Sequence, residues 1–294
     1  MIYLDFNATT PLCDEAREAM LPYLGRHFGN PSSVHAAGRQ ARAAIDDARD
    51  KLASLLDVKP HEIIFTSGGT ESCNLAVLGL ARQRSSRGGH VISAKTEHHA
   101  VLNAVEHLEK HEGFEVTWLN VSPDGIIDLD QLAAAIRPDT RLVSIMTANN
   151  ETGVIQPMRE ISQICRERGV FLHSDMVQSL GKIETDLSLV DAASFAAHKF
   201  YGPKGAGFLF LRSGLRTEPI MFGGAHETSD APERKTLLLL QEWQRPRSGH
   251  CAIANTNRST RRRCATNSGR GFQRVFLRQS KTARIRPDWQ TRWT

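Results

Sequence analysis

The sequence predicts an α/β protein built on a mostly parallel sheet with helices on both faces. Three observations predict it. Short apolar runs alternate with longer segments of helical period along the first 211 residues. A glycine-rich turn, Ser67-Gly-Gly-Thr70, joins an apolar run to a helical one. Five residues able to do chemistry, Thr70, His98, Asn150, Asp175 and Lys199, stand just past the ends of apolar runs. In sheets of this kind the carboxyl ends of the strands carry the site, so these five are expected to converge on one crevice.

The elements follow in order. Asn7-Ala-Thr-Thr10 lies between the short run Ile2-Tyr-Leu4 and Pro11 and reads as a loop. A helix starts at Asp14, with Ala16, Ala19 and Met20 at helical spacing. Gly29-Asn-Pro-Ser-Ser33 is loop chemistry. Ala37, Ala41, Ala44, Ile45, Ala48, Leu52 and Leu55 mark one long amphipathic helix over 34–56. Residues 62–66 read as a strand that opens through the glycine turn into a helix beginning near Glu71. Strands are then predicted over 91–93, 115–120, 141–148, 170–174, 192–195 and 208–211. Helices are predicted over 99–111, 128–136 and 157–168, the last opening on proline.

Composition narrows the class. The chain has 294 residues, enough for one large α/β domain, with or without a small second one. No run of about 18 apolar residues occurs, so no membrane span is expected. The start, Met1-Ile-Tyr-Leu-Asp5, lacks the basic-then-apolar pattern of a secretory signal. The five cysteines, Cys13, Cys73, Cys165, Cys251 and Cys264, are odd in number and form no Cys-x-x-Cys pair. Neither a disulfide framework nor a metal site is therefore expected, and a cytoplasmic location fits this cysteine usage. The net charge of +5 hides a division. Residues 245–294 hold 12 Arg, 1 Lys and 1 Asp, which leaves 24 basic and 31 acidic residues in the rest. A basic arm for nucleic acid is one reading of the tail. It lacks regularly interleaved aromatics and any binding motif, so nucleic acid is not the expected partner.

The chemistry centres on Ser194-Phe-Ala-Ala-His-Lys-Phe-Tyr-Gly-Pro-Lys-Gly-Ala-Gly207. Lys199 lies between an apolar run and a rigid Gly/Pro turn. Burial lowers the pKa of such an amine and makes it a nucleophile toward a carbonyl. Taken alone, the stretch fits a surface lysine at a strand end equally well. Asp175, in Asp175-Met-Val-Gln178, ends another apolar run and tips the balance. An acid paired with a carbonyl-binding lysine is the layout of pyridoxal phosphate (PLP) sites, where the acid keeps the pyridine nitrogen protonated. Ser67-Gly-Gly-Thr70 presents free N–H groups at a helix N-terminus, a means of holding phosphate. By itself it fits an ordinary strand-to-helix turn. Its spacing differs from the Walker A loop and no Gly-Lys-Ser/Thr follows, which argues against a nucleoside triphosphate.

Seven motifs occur in order: YLDFNATTPL, GNPSSVH, FTSGGTES, TEHHAVL, NNETGVIQP, HSDMVQSLGKI and AHKFYGPKGAGFLFLR. Together they resemble the cysteine desulfurases of the class V aminotransferase group over residues 1–227. The resemblance implies a PLP-dependent transferase fold with a large domain like that of aspartate aminotransferase. That domain would cover 1–227, with segment 1–30 contributing to the site. The resemblance further implies PLP as cofactor and L-cysteine as substrate. The products would be L-alanine and an enzyme persulfide that supplies iron–sulfur cluster or thio-cofactor assembly through a sulfur-acceptor or scaffold protein. A homodimer is implied too. Carried over residue by residue, the catalytic positions are Lys199, His98 and Asp175. Lys199 would bind the cofactor's aldehyde, and Asp175 would face the pyridine nitrogen. Gln178 would meet the phenolic oxygen. His98, otherwise a polar loop histidine, would stack on the ring and relay protons. Asn150 would touch the ring, while Gly69, Thr70 and His198 would hold the phosphate.

The chain also departs from that family. Ala196 stands where the family has a phosphate-binding serine; one neutral hydrogen bond is worth about 0.5–1.5 kcal/mol, so PLP should bind somewhat less tightly. Beyond Glu227 neither the sulfur-accepting cysteine nor the arginine for the substrate carboxylate is recognisable. Cys251 and Cys264 stand in unfamiliar sequence, and Cys73 is expected to be packed within a helix. Where the family continues with RAGTEN, this chain reads Thr228-Ser-Asp-Ala-Pro-Glu-Arg-Lys-Thr236. Codons for residues 230–236, read from their third base, encode Arg-Ala-Gly-Thr-Glu-Asn with suitable third bases. The sequence thus predicts a reading-frame shift near Thr228, a small domain missing or corrupted, and 228–294 as a poorly ordered tail with impaired activity. A selenocysteine lyase or small amino-acid aminotransferase would share the same cofactor residues. A non-catalytic remnant is the third reading.

Overall fold

The computed structural model describes residues 2–83 and 88–222. These all belong to one of two units of the chain, Met1–Ile253. The domain boundary expected at 227/228, the out-of-frame tail, Cys251 and Cys264 lie outside the described residues.

Six α-helices and seven strands are formed among these residues: α1 (Asp14–Leu24), α2 (Ala36–Leu56), β1 (Ile63–Thr66), α3 (Gly69–Arg82), β2 (Gly89–Ala94), α4 (His99–Glu112), β3 (Phe114–Leu119), α5 (Leu129–Ala135), β4 (Thr140–Ser144), α6 (Met158–Glu167), β5 (Phe171–Asp175), β6 (Ala192–Ala196) and β7 (Gly207–Leu211). The strands form one sheet in the order β1-β7-β6-β5-β4-β2-β3. All pairs are parallel except those of β7, which runs against both β6 and β1. The reason is length. Only residues 197–206 separate β6 from β7, fewer than a parallel crossover requires.

Side chains alternate between the two faces of the sheet, as a period of two demands. Ile63, Phe65, Ile92, Val143, Phe195, Phe208 and Phe210 pack with residues of α2, α5 and α6. Ile64, Val91, Leu142, Leu209 and Leu211 pack with α3 and α4. On the first face Phe195 and Phe208 stack at 4.4 Å. Helix α3 is buried along almost its whole length, Leu75 to Ala81 included, because it lies between the sheet and α4.

Two elements differ from their expected bounds, each for a local reason. The apolar run 141–148 forms a strand only as far as Ser144. Glu97 Oε1 accepts the Met146 N–H at 2.6 Å, so that donor leaves the ladder. Helix α3 begins at Gly69, ahead of Glu71, because Glu71 reaches back and accepts from the N–H of Ser67 at 2.8 Å. The N-terminal segment is tied to the turn after β6: the Thr10 N–H donates to the His198 carbonyl at 2.8 Å, and the Tyr201 N–H donates to Thr10 Oγ1 at 2.7 Å. Among the described residues no helix is long and apolar enough to cross a membrane.

Candidate active site

A cavity of about 480 Å³ opens at the carboxyl ends of the parallel strands, and all eight residues singled out from the sequence line it. Gly69 and Thr70 come from the start of α3, His98 from the residue before α4, and Asn150 from the loop after β4. Asp175 ends β5, Gln178 follows it, and His198 and Lys199 follow β6. The five motifs expected to meet do meet.

Lys199 Nζ donates to two backbone carbonyls, Asn7 O at 2.7 Å and Ala8 O at 2.9 Å. Burial pulls its pKa down, against the nearby charges of Asp175, Asp5 and Glu151. Asp175 is 6% exposed. Burial pushes its pKa up, opposed by the Val177 N–H on Oδ1 at 2.9 Å and by His98. The Cys73 thiol lies 3.6 Å from the other oxygen, Oδ2. Cys73 is fully buried, as expected, and burial next to Asp175 holds it well above the ordinary thiol range.

The remaining positions are held as firmly. His98 caps α4, its Nδ1 accepting from the Ala100 N–H at 3.1 Å. His198 Nδ1 meets Thr9 Oγ1 at 3.2 Å, and burial with three neighbouring lysines (Lys199, Lys204 and Lys182) lowers its pKa. Gln178 Nε2 donates to Asn7 O at 2.9 Å. Asn150 Nδ2 is turned toward Glu151 Oε1 at 2.6 Å. At the start of α3 the space is made by absence. A Cβ on Gly69 would stand 2.9 Å from Val177 Cγ2 and 3.4 Å from the Ala196 methyl. Gly207 plays the same part underneath, since a Cβ there would stand 2.6 Å from Gly68 Cα.

Sequence reasoning missed the carbonyls of Asn7 and Ala8, the carboxyl of Glu97 and the amine of Lys182. Backbone carbonyls carry no residue signal at all. Lys182 had one: it stands four residues after Gln178, and its Nζ donates to Gln178 Oε1 at 2.5 Å.

A mostly parallel sheet with a lysine, a buried acid and a glycine-cradled helix start at its carboxyl edge is the PLP-dependent transferase fold. The chain belongs to the class-V aminotransferase family, whose pattern matches residues 2–243. It is 50% identical over 230 residues to the cysteine desulfurase IscS of Dictyoglomus turgidum, covering 78% of this chain and 58% of that protein. It is 51% identical over 232 residues to the IscS of Dechloromonas aromatica, covering 77% and 57%. The chain thus spans well under two thirds of the length of these curated relatives. Among solved structures, a NifS-like protein superposes with a TM-score of 0.79 at 38% identity, over 82% of this chain and 67% of that one. SspA in complex with cysteine gives a TM-score of 0.79 at 37% identity, over 83% and 71%.

Proposed function

We propose that this chain is a cysteine desulfurase-type enzyme that holds PLP on Lys199 and acts on L-cysteine. The observation that carries the reading is the meeting, in one cavity, of a half-buried lysine amine, a buried carboxyl and a side-chain-free helix start. These fit the three chemical handles of PLP: aldehyde, ring nitrogen and phosphate. The similarity to proteins named cysteine desulfurase, and to one solved with cysteine, supports the choice of substrate.

When bound, PLP supplies an electron-withdrawing ring that stabilises negative charge at the substrate's α-carbon. The protein's own groups do the rest. Lys199, with its pKa lowered by burial, has more free amine at neutral pH, both to hold the aldehyde and to take a proton from the α-carbon at Nζ. The Asn7 and Ala8 carbonyls aim that nitrogen. Asp175, its pKa raised by burial, would face a ring nitrogen brought to it and hold the proton between them. The N–H groups opening α3, with Thr70 Oγ1 and His198, would take the phosphate. Ala196 brings no hydroxyl there. His98, already a hydrogen-bond acceptor at Nδ1, keeps Nε2 for the ring face or for a proton. In a chain that carries the sulfur-accepting cysteine, which is not recognisable here, the sulfur would pass to that cysteine and then to an acceptor protein for cluster or thio-cofactor assembly; as written the chain would be impaired at that step. The enzyme would work as a homodimer.

The test is spectroscopic. Added PLP should give the full chain a visible absorbance band that survives dialysis, and Lys199→Ala should abolish it. An unchanged band in that variant would remove Lys199 from its role.

A further inference from the structure

Behind Asp175 the sheet carries a line of polar side chains where apolar ones are expected. Residues two apart on a strand share a face. On the face that α3 covers, Leu142 and Ala192 are apolar. Yet Ser144 stands two after Leu142, Ser194 two after Ala192, and His173 two before Asp175. Ser144 pairs with His173 across β4 and β5, and Asp175 pairs with Ser194 across β5 and β6. Cys73, in the second turn of α3, brings its thiol to Asp175. Ser144, His173, Ser194 and Cys73 are all fully buried.

Burying polar groups is costly unless each finds a partner, and here each does. Ser144 Oγ lies 2.8 Å from His173 Nδ1, and His173 Nε2 lies 2.9 Å from Ser194 Oγ. The Ser194 hydroxyl hydrogen-bonds Cys73. The Cys73 thiol donates to Asp175 Oδ2 at 3.6 Å. Counting hydrogens fixes the direction of this chain. The His173 ring is neutral at ordinary pH, since burial lowers its pKa to about 3, so one ring nitrogen donates and the other accepts. The single thiol hydrogen goes to Asp175, so Ser194 must donate its own hydrogen to the sulfur. The Ser194 oxygen then accepts from His173 Nε2, and Nδ1 accepts from the Ser144 hydroxyl. The other tautomer would ask Ser194 for two hydrogens, and it has one. All four donors therefore point the same way, toward one carboxyl.

We propose that Ser144, His173, Ser194 and Cys73 form a buried donor relay that ends on Asp175 Oδ2, with Cys73 as the positioning residue that fixes the carboxyl. A hydrogen bond to the charged form of an acid favours that form, and aligned bonds polarise one another in a low-dielectric interior. The Val177 N–H holds Oδ1 at 2.9 Å and the thiol holds Oδ2, so the carboxyl is fixed at both oxygens. The relay thus works against burial and against the like charge of Glu97, in the same sense as His98 and Lys199 on the cavity side. Its bearing on catalysis rests on the reading of Asp175 as the acid that faces the PLP ring nitrogen, but the relay itself is testable without the cofactor.

Two spectroscopic readouts on the full chain without PLP test the relay. 15N NMR of the His173 ring, assigned with His173→Gln, should show Nε2 protonated and Nδ1 bare at neutral pH. A proton on Nδ1 would overturn the proposal. The infrared S–H stretch of Cys73, assigned by its loss in Cys73→Ala, should stand below that of the chain's other thiols. It should move up in Asp175→Asn, which removes the charged acceptor, and in Ser194→Ala, which cuts the relay. A band that stays in place in either variant overturns the proposal too. With PLP added, Cys73→Ala should keep the cofactor on Lys199 but slow α-proton exchange of alanine in deuterated buffer about 2–10-fold, the worth of one neutral hydrogen bond. Cys73→Ser keeps a donor and should stay near the parent rate. Equal slowing in the two variants would assign the effect to packing and remove the positioning role. Urea unfolding checks that each variant is folded. The expected ring and thiol signals with no PLP band would leave the relay on Asp175 in place and remove the PLP reading.

Discussion

Burial decides what several single residues do. Asp175 carries its carboxyl in an apolar wall with Cys73 behind it, so the charge it can lend to a ring nitrogen is hardly screened. That charge matters most when negative charge builds on the substrate, not when the cofactor binds. Asp175→Ala should therefore keep PLP on Lys199 yet slow α-proton exchange by on the order of 10²-fold or more, measured by NMR exchange of cysteine or alanine in deuterated buffer. Equal loss of both properties would contradict the role. His173 is a second case, in the sheet and away from the cavity lining. It is fully buried between Ser144 Oγ at 2.8 Å and Ser194 Oγ at 2.9 Å, and burial lowers its pKa to about 3. Its folded-state pKa is depressed, so the unfolded chain binds the proton first as pH falls. Stability is then intact above about pH 6.5 and declines toward pH 3 by about 1.4 kcal/mol per unit. His90 and His198 act in the same direction, while Glu97 and Asp175, both raised, act in the opposite one. Comparison with His173→Gln isolates the one group. Between pH 7 and 4.5 the parent should lose about 2–3 kcal/mol more than the variant in urea unfolding.

At the scale of elements, close approach does the work. Strand β7 passes under the start of α3 so closely that Gly207 faces Gly68 Cα and Phe195 O, each 2.6 Å from where a Cβ would be. Both neighbours are backbone and cannot rotate away. Gly207→Ala should cost about 1–3 kcal/mol and loosen PLP by moving the α3 start. Gly25→Ala, with nothing within 4 Å of its added carbon, should stay within about 0.5 kcal/mol. Urea midpoints of the two variants give the comparison. Most elements could be read from periodicity, since apolar residues at spacings of two or near 3.6 report which face is buried. Their ends could not. Ser144 ends β4 because Glu97, far back in the chain, captures the Met146 N–H, and no property of residues 141–148 announces it. The direction of β7 was equally hidden, because an apolar run looks the same from either end.

For the whole molecule, the proposed activity would need groups beyond the described residues. The arginine for the substrate carboxylate and the sulfur-accepting cysteine are not recognisable after Glu227, and a charge-assisted contact of that kind is worth about 1.5–3 kcal/mol. The chain as written should bind PLP but release little sulfide from L-cysteine, and a gene with the frame restored near codon 228 should recover it. Equal sulfide production by the two would instead make Cys251 and Cys264 the first residues to replace.

The sequence alone pointed to the proposed chemistry: Lys199, Asp175, His98 and the Ser67–Thr70 turn, each ordinary when taken alone, stand together in that order and at those strand ends. It determined the alternation of strands and helices too, because both depend on neighbours a few positions away. Only the tertiary structure decided that Asn7 and Ala8 aim Lys199 from 192 and 191 positions back, that Gln178 and Lys182 close a network with them, and that the Asp175 carboxyl is shielded. A proton affinity and a hydrogen bond are set by distance and solvent exclusion between segments remote in sequence, and those quantities exist only once the chain has folded.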